Sequence, residues 1–210
     1  MKQLVGRKVG MTRIFDEAGR ETPVTVVEVQ PHVVIGNRTK DKHGYDAVVV
    51  GVEEDPKQRA PRPVAGQYPQ GVTPHRHIRE LRLQTAPAVG EKIDAGIFSP
   101  GDQVKVTGTS KGRGFAGFVK RHHFHGGPST HGSTNHRLPG SIGSSAYPSR
   151  VLKGLRMAGH MGNARTTVKG LRVVEVDPER NVLVLSGCIP GARGGLVTIT
   201  SDERGKGNRK

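Results

Sequence analysis

Leu4-Val5-Gly6-Arg7-Lys8-Val9-Gly10-Met11-Thr12-Arg13-Ile14-Phe15 runs into Asp16-Glu17-Ala18-Gly19, and then into Glu21-Thr22-Pro23-Val24-Thr25-Val26-Val27-Glu28-Val29. Two stretches rich in β-branched residues around an acidic turn ending in glycine predict strand, turn, strand. Val33-Val34-Ile35 and Ala47-Val48-Val49-Val50-Gly51-Val52 continue the pattern. Runs of this kind, bounded by Gly, Pro, Asn and Asp, predict a small antiparallel sheet or barrel. Further along, Gln103-Val104-Lys105-Val106-Thr107-Gly108-Thr109 alternates cleanly. Val168–Val176, Asn181–Leu185 and Leu196–Ile199 read as the closing strands, with a turn at Asp177–Asn181. The predicted class is mainly β with minor α.

Between these strands the pattern breaks twice. Pro56, Pro61, Pro63, Pro69 and Pro74 interrupt the first break, and Lys57, Arg59 and Arg62 make it basic. No hydrophobic period survives five prolines, so only short helical pieces are expected. His77–Leu83 reads equally as a strand or a helical turn. The second break, His122–Met161, is rich in Gly, Ser, His, Thr and Asn and poor in aliphatics. Forty residues without period or apolar content make a poor compact loop. Such a segment is disordered alone or organised by an external partner; the free segment is expected to be disordered, since little apolar burial offsets its chain entropy. Paired as a hairpin, His123–Ala158 could extend up to ~60 Å at ~3.3 Å per residue.

The 210 residues carry 33 Lys+Arg against 18 Asp+Glu, a formal net charge of +15. The excess is segregated. From Gln103 to Val174, 72 residues, there is no acid and there are twelve basic residues. An ordinary solvated face mixes both signs, so a long acid-free stretch points to a surface that lies against a polyanion. Hydrophobic residues are only 33% and aromatics 4%, with no Trp, which argues against a large aromatic-lined ligand pocket. The single cysteine, Cys188, rules out an intramolecular disulfide and a cysteine zinc cluster. It lies at an apolar strand end and is expected to be a buried thiol. The N-terminus has no apolar run of the signal-peptide type, no stretch is apolar enough to span a membrane, and a reducing cytosol fits best.

Gly112-Arg113-Gly114-Phe115-Ala116-Gly117 matches G-x-G-x-x-G, but no acid follows before Glu175, so a dinucleotide site is not expected. Glycines there instead let backbone N–H groups approach phosphates, while Lys111, Arg113, Lys120 and Arg121 supply charge. His122, His123, His125, His131, His136 and His160 lie in a glycine-rich segment with no carboxylate to support them; a role on bases and phosphates fits better than a metal centre. No G-x-S-x-G occurs, and no acid in the segment could orient a catalytic histidine. Phe115 and Phe118 read equally as core anchors or RNA contacts. Phe124 and Tyr147 have less core around them and read as residues that stack on bases or pack into an RNA groove. No cofactor, metal or small-molecule substrate is expected.

Gly6–Phe15 resembles the opening signature of the large-subunit ribosomal protein L-three family, bacterial type. Val106-Thr107-Gly108-Thr109-Ser110-Lys111-Gly112-Arg113-Gly114-Phe115-Ala116-Gly117 resembles its central signature. Thr130-His131-Gly132-Ser133, His136-Arg137-Leu138-Pro139-Gly140-Ser141-Ile142-Gly143 and Met157-Ala158-Gly159-His160-Met161-Gly162 resemble the loop that follows. Lys105 departs from the family's usual Asp or Asn, and Ser144-Ser145-Ala146-Tyr147 offers no glutamine for the methylation of some bacterial members. The resemblance implies a translation-factor-like antiparallel β-barrel with an insert and a long irregular extension. It implies a structural constituent of the large ribosomal subunit, cytoplasmic and not an enzyme. Expected partners are 23S rRNA and neighbouring large-subunit proteins, with a part in early assembly and an extension reaching toward the peptidyl-transferase region.

On this reading residues 1–52 are the first part of the barrel and 53–92 a proline-rich insert with minor helix. Residues 93–121 hold barrel strands and the root of the extension, 122–161 the basic extension, 162–200 the final strands and 201–210 a flexible tail. The strongest rRNA contacts are expected from Lys111, Arg113, Lys120, Arg121, Arg137, Arg150, Lys153 and Arg156, with Arg165 and the six histidines beside them. The competing readings are a free RNA chaperone and a metal-dependent RNA-modifying enzyme.

Overall fold

The computed structural model describes residues 1–55 and 60–202. Pro56, Lys57 and Arg59 of the proline-rich stretch, and residues 203–210 of the expected tail, lie outside the described residues. In chain order the strands are β1 (Gln3–Phe15), β2 (Glu21–Glu28), β3 (His32–Arg38), β4 (Ala47–Glu54), β5 (His75–Leu81) and β6 (Lys92–Ile93). They continue with β7 (Gln103–Thr109), β8 (Phe115–Ala116), β9 (Gly159–His160), β10 (Arg165–Asp177), β11 (Val182–Ser186) and β12 (Leu196–Ser201). Among the described residues helix is confined to single turns: α1 (Lys40–His43), α2 (Arg62–Ala65), α3 (Phe118–His122) and a 3-10 turn at Ala95–Ile97. The chain falls into two units, Met1–Thr109 with Arg165–Lys210, and Ser110–Ala164.

In the first unit six strands close into a barrel in the order β1-β12-β7-β10-β11-β2. Every pairing in it is antiparallel. The alternation read in β7 places Val104, Val106 and Gly108 inside and its other residues at or near the surface. Closure needs curvature, and register shifts at Lys8/Gly10, Val168/Leu171 and Val173/Glu175 supply it. Gly6 permits the tight approach of β1 to the end of β2. A Cβ there would lie 2.5 Å from Val27 Cγ1 and 2.8 Å from the Glu28 carbonyl oxygen.

β3 and β4 are not part of that barrel. They form a second sheet in the order β5-β4-β3-β6. This corrects the assignment of residues 1–52 to the barrel, and of His77–Leu83 it places His77–Leu81 in the strand β5, paired with β4. The cause is visible in β4, where Ala47 to Glu53 is buried without a break. A strand covered on both faces is a central strand and needs neighbours at both edges. Leu4, Val27, Val106, Leu183 and Ile199 of the barrel share one apolar cluster with Val34, Val50, Leu81 and Ile93 of the second sheet.

Three polar details hold this unit. Arg7 and Glu53 form a two-pronged ion pair, Nε to Oε1 at 2.7 Å and Nη2 to Oε2 at 2.5 Å. Lys8 is buried, and its ammonium donates to the carbonyls of Ile189 (2.9 Å) and Gly191 (3.4 Å). The fully buried His32 accepts the Val5 N–H on Nε2 at 2.9 Å. Two expectations change. Cys188 is exposed, because Gly187 turns the chain at φ +78° after β11 and Ile189 enters the core instead. The tail does not begin at 201: Ser201 N–H donates to Lys2 O and Asp202 N–H to Gln103 O, both at 2.8 Å.

Candidate nucleic-acid interface

Thr109 and Arg165, where the chain leaves and re-enters the barrel, are opposite each other in the β7–β10 ladder. The intervening unit, Ser110–Ala164, begins as an antiparallel pair of limbs. Ser110 N–H donates to Ala164 O, Arg113 N–H to Met161 O and Met161 N–H to Gly114 O, each at 2.9 Å. β8 and β9 extend the ladder through Phe115↔His160 and Ala116↔Gly159. Gly162, at φ +76°, lets the limbs touch; a side chain there would collide with the Lys111 carbonyl. The G-x-G-x-x-G stretch thus opens a five-residue helix, α3, and no long helix of the dinucleotide-binding kind.

Beyond this base the unit has almost no core. Of the buried apolar residues only Ala116 belongs to it. Phe115 is 80% and Tyr147 87% exposed, so Phe115 is no core anchor. Phe118 and Phe124 are half-buried on each other, with ring centroids 6.2 Å apart and 19° between planes. Leu138, Ile142, Leu152 and Leu155 are exposed as well. A stretch without hydrophobic period has no common face on which to bury such residues.

Eight cations and no acid lie in this unit, so none of its cations can be neutralised from within it. Lys111, Arg113, Lys120, Arg137, Arg150, Lys153 and Arg156 are exposed. Arg121 is not, and this qualifies its place among the expected contacts. Its Nη1 donates to the Met157 carbonyl at 2.6 Å, and His122 Nε2 meets the same oxygen at 2.9 Å. Both side chains tie α3 to the returning limb. His123 ends α3 in the left-handed region at φ +61°, and His125, His131 and His160 are exposed. His136 is exposed too, with Nδ1 2.8 Å from the Pro128 carbonyl. Arg165 stands outside the unit, as the first residue of β10.

His122, His123, His125 and Arg156 converge on one cleft of about 920 Å³, together with Phe124, Asn135, Leu138 and Ser141. His131, Arg137, Arg150 and Lys153 do not line it. Asn135, Leu138 and Ser141 were not among the expected site residues. Leu138 and Ser141 lie within a quoted signature segment and Asn135 just before it, but nothing in their spacing marks them as neighbours of His125. Among the described residues, no three His, Cys, Asp or Glu side chains group to hold a metal ion, and no helix is long and apolar enough to cross a membrane.

In the first unit the charge is treated differently. Lys2–Asp102, Arg13–Glu21, Arg38–Glu80 and Lys40–Asp46 pair across its surface, besides Arg7–Glu53. The second unit, with eight cations and no acid, carries a positive field unopposed from within.

Residues 84–183 match the family model described as Ribosomal protein L3. The large ribosomal subunit protein uL3 of Acidothermus cellulolyticus is 50% identical over 100% of this chain and 96% of its own length. The uL3 proteins of Herpetosiphon aurantiacus (50%, covering 94% of each chain) and Pelotomaculum thermopropionicum (46%, 98% of this chain and 99% of its own) are similar throughout. With near-complete coverage at this identity, and with the signature segments building the base of the acid-free unit, the chain belongs to the ribosomal protein L3 family, that of the large-ribosomal-subunit protein uL3.

Proposed function

We propose that the chain is a structural constituent of the large ribosomal subunit, cytoplasmic within the ribosome and without catalytic activity of its own. It binds 23S rRNA beside neighbouring subunit proteins, supports early subunit assembly, and reaches toward the peptidyl-transferase region with the Ser110–Ala164 unit. The observation that carries this reading is the charge of that unit, eight cations and no acid, with seven cations exposed. Its mechanism is charge neutralisation and shape filling. Lys and Arg offset phosphate repulsion where RNA helices crowd, glycines admit close backbone approach, and Ser, Asn and His donate and accept hydrogen bonds. Influence on peptidyl transfer runs through RNA positioning.

The test is the salt dependence of binding to a 23S rRNA transcript. If the seven exposed cations each meet one phosphate, log K falls against log salt with a slope of about −5 to −6. A slope near zero refutes the mechanism. Sedimentation of lysate through a high-salt gradient tests residence: one copy per large subunit retained in salt is expected, and a free pool lost in salt supports a free RNA chaperone.

A further inference from the structure

We infer that the cleft of the second unit holds a single unstacked nucleotide of the bound RNA, so that this unit reads one base as well as screening phosphates. The inference rests on the rRNA-binding reading above and goes a step further, from a field to a site.

Four observations carry it. The volume, about 920 Å³, falls in the ~300–1,000 Å³ range of small-molecule sites and far exceeds what a lone phosphate needs. The lining has two chemistries. Phe124 and Leu138 offer apolar surface to a base, while Arg156 and the Ser141 hydroxyl offer charge and hydrogen bonds to a phosphate or ribose. No acid lies anywhere in the unit, so within it nothing competes with an anion for Arg156.

The walls are also built and fixed. Gly127 N–H donates to Asn135 O at 3.0 Å, and His136 Nδ1 meets Pro128 O, so limb 122–128 is tied to limb 135–141. Gly126 and Gly127 lie so close to the second limb that any side chain would collide with the His136 and Asn135 carbonyls. Within limb 122–128, Phe124 packs against Phe118 and His122, and His122 is itself held on Met157 O. His125 is exposed at the same cleft, where it can stack on a base without supporting the wall.

The experiment is short-wavelength ultraviolet crosslinking of the full chain to an unmodified 23S rRNA transcript, which reports on every base, with adducts located by peptide mass spectrometry and binding followed in parallel. The expected result is a nucleotide adduct on 122–127 or 135–141. His125→Ala should lower that adduct yield at least fivefold while the salt slope changes by less than one unit. Binding without a cleft adduct overturns the nucleotide site and leaves the rRNA reading standing. Unchanged adduct yield in His125→Ala overturns the site as well. Absence of binding to the transcript overturns the rRNA reading and this inference with it.

Discussion

Glu53→Gln is the most informative single change in the first unit. Glu53 sits at the end of β4 with φ +59°, a left-handed conformation that costs a non-glycine residue ~1–2 kcal/mol. The conformation brings its carboxylate onto both prongs of Arg7, at 2.7 and 2.5 Å. The Glu53 side chain is 11% exposed and that of Arg7 34%. The hydrogen bond and charge of Arg7 hold the Glu53 carboxyl below its usual range, against the opposing effect of burial. Removing one partner of a buried pair costs ~3–5 kcal/mol, but water still reaches Arg7, so about 2 kcal/mol is expected. At 2–4 °C per kcal/mol, Tm should fall by roughly 4–8 °C.

Gln keeps the backbone strain of Glu, so the comparison isolates the charge. Glu53→Gly also loses the pair but relieves the positive φ, and should be about 1 kcal/mol less damaging than Glu53→Gln. The pH dependence has a definite sign. A depressed carboxyl adds stability above its unfolded value, near 4.3, and loses it as pH falls through the lower folded value. Wild type and Glu53→Gln should therefore differ at pH 7 and converge in acid, since protonated Glu resembles Gln. The assay is urea unfolding of both proteins across pH. A gap under ~0.5 kcal/mol at pH 7, or one that persists undiminished in acid, refutes the assigned role.

Burial pushes His32 down to about 4. The unfolded chain takes up this proton near pH 6.5 and the folded one does not, so stability falls by up to about 3 kcal/mol between pH 6.5 and 4. NMR titration of the His32 ring should show its midpoint well below that of a free histidine; a midpoint near 6.5 contradicts the burial. Gly162→Ala should wedge apart the base of the second unit; a tenfold loss of RNA affinity, about 1.4 kcal/mol, with an unchanged barrel melt is the expected pattern. Cys188 should react with a thiol reagent in the native protein before any denaturant is added, whereas a requirement for unfolding would restore the buried reading.

The chain's own residues determine the local elements and the segregation of charge. Alternation in β7 specifies a strand because pleat and burial share a period of two, and the β-branched runs of β1, β2 and β4 specify strands through their β-propensity. The acid-free window is legible because charge needs no structure to be counted, and the lack of period from His122 to Met161 marks a segment that cannot build a core. Only the tertiary structure decided which strands close the barrel and which form the second sheet. Period tells which side chains face inward but not which strand lies alongside, and β3 and β4 look like barrel strands until β5 and β6 claim their edges. Long-range contacts likewise set the fate of single residues. Lys8 is a buried donor to two carbonyls, Arg121 a tie to Met157, and Cys188 an exposed thiol after a glycine turn. The cleft belongs to the same class: Phe124, Asn135 and Arg156 are far apart along a chain without period. The Gly127–Asn135 bond and two side-chain-free glycines join the first two limbs, and the Arg121 and His122 bonds to Met157 O bring in the limb that carries Arg156.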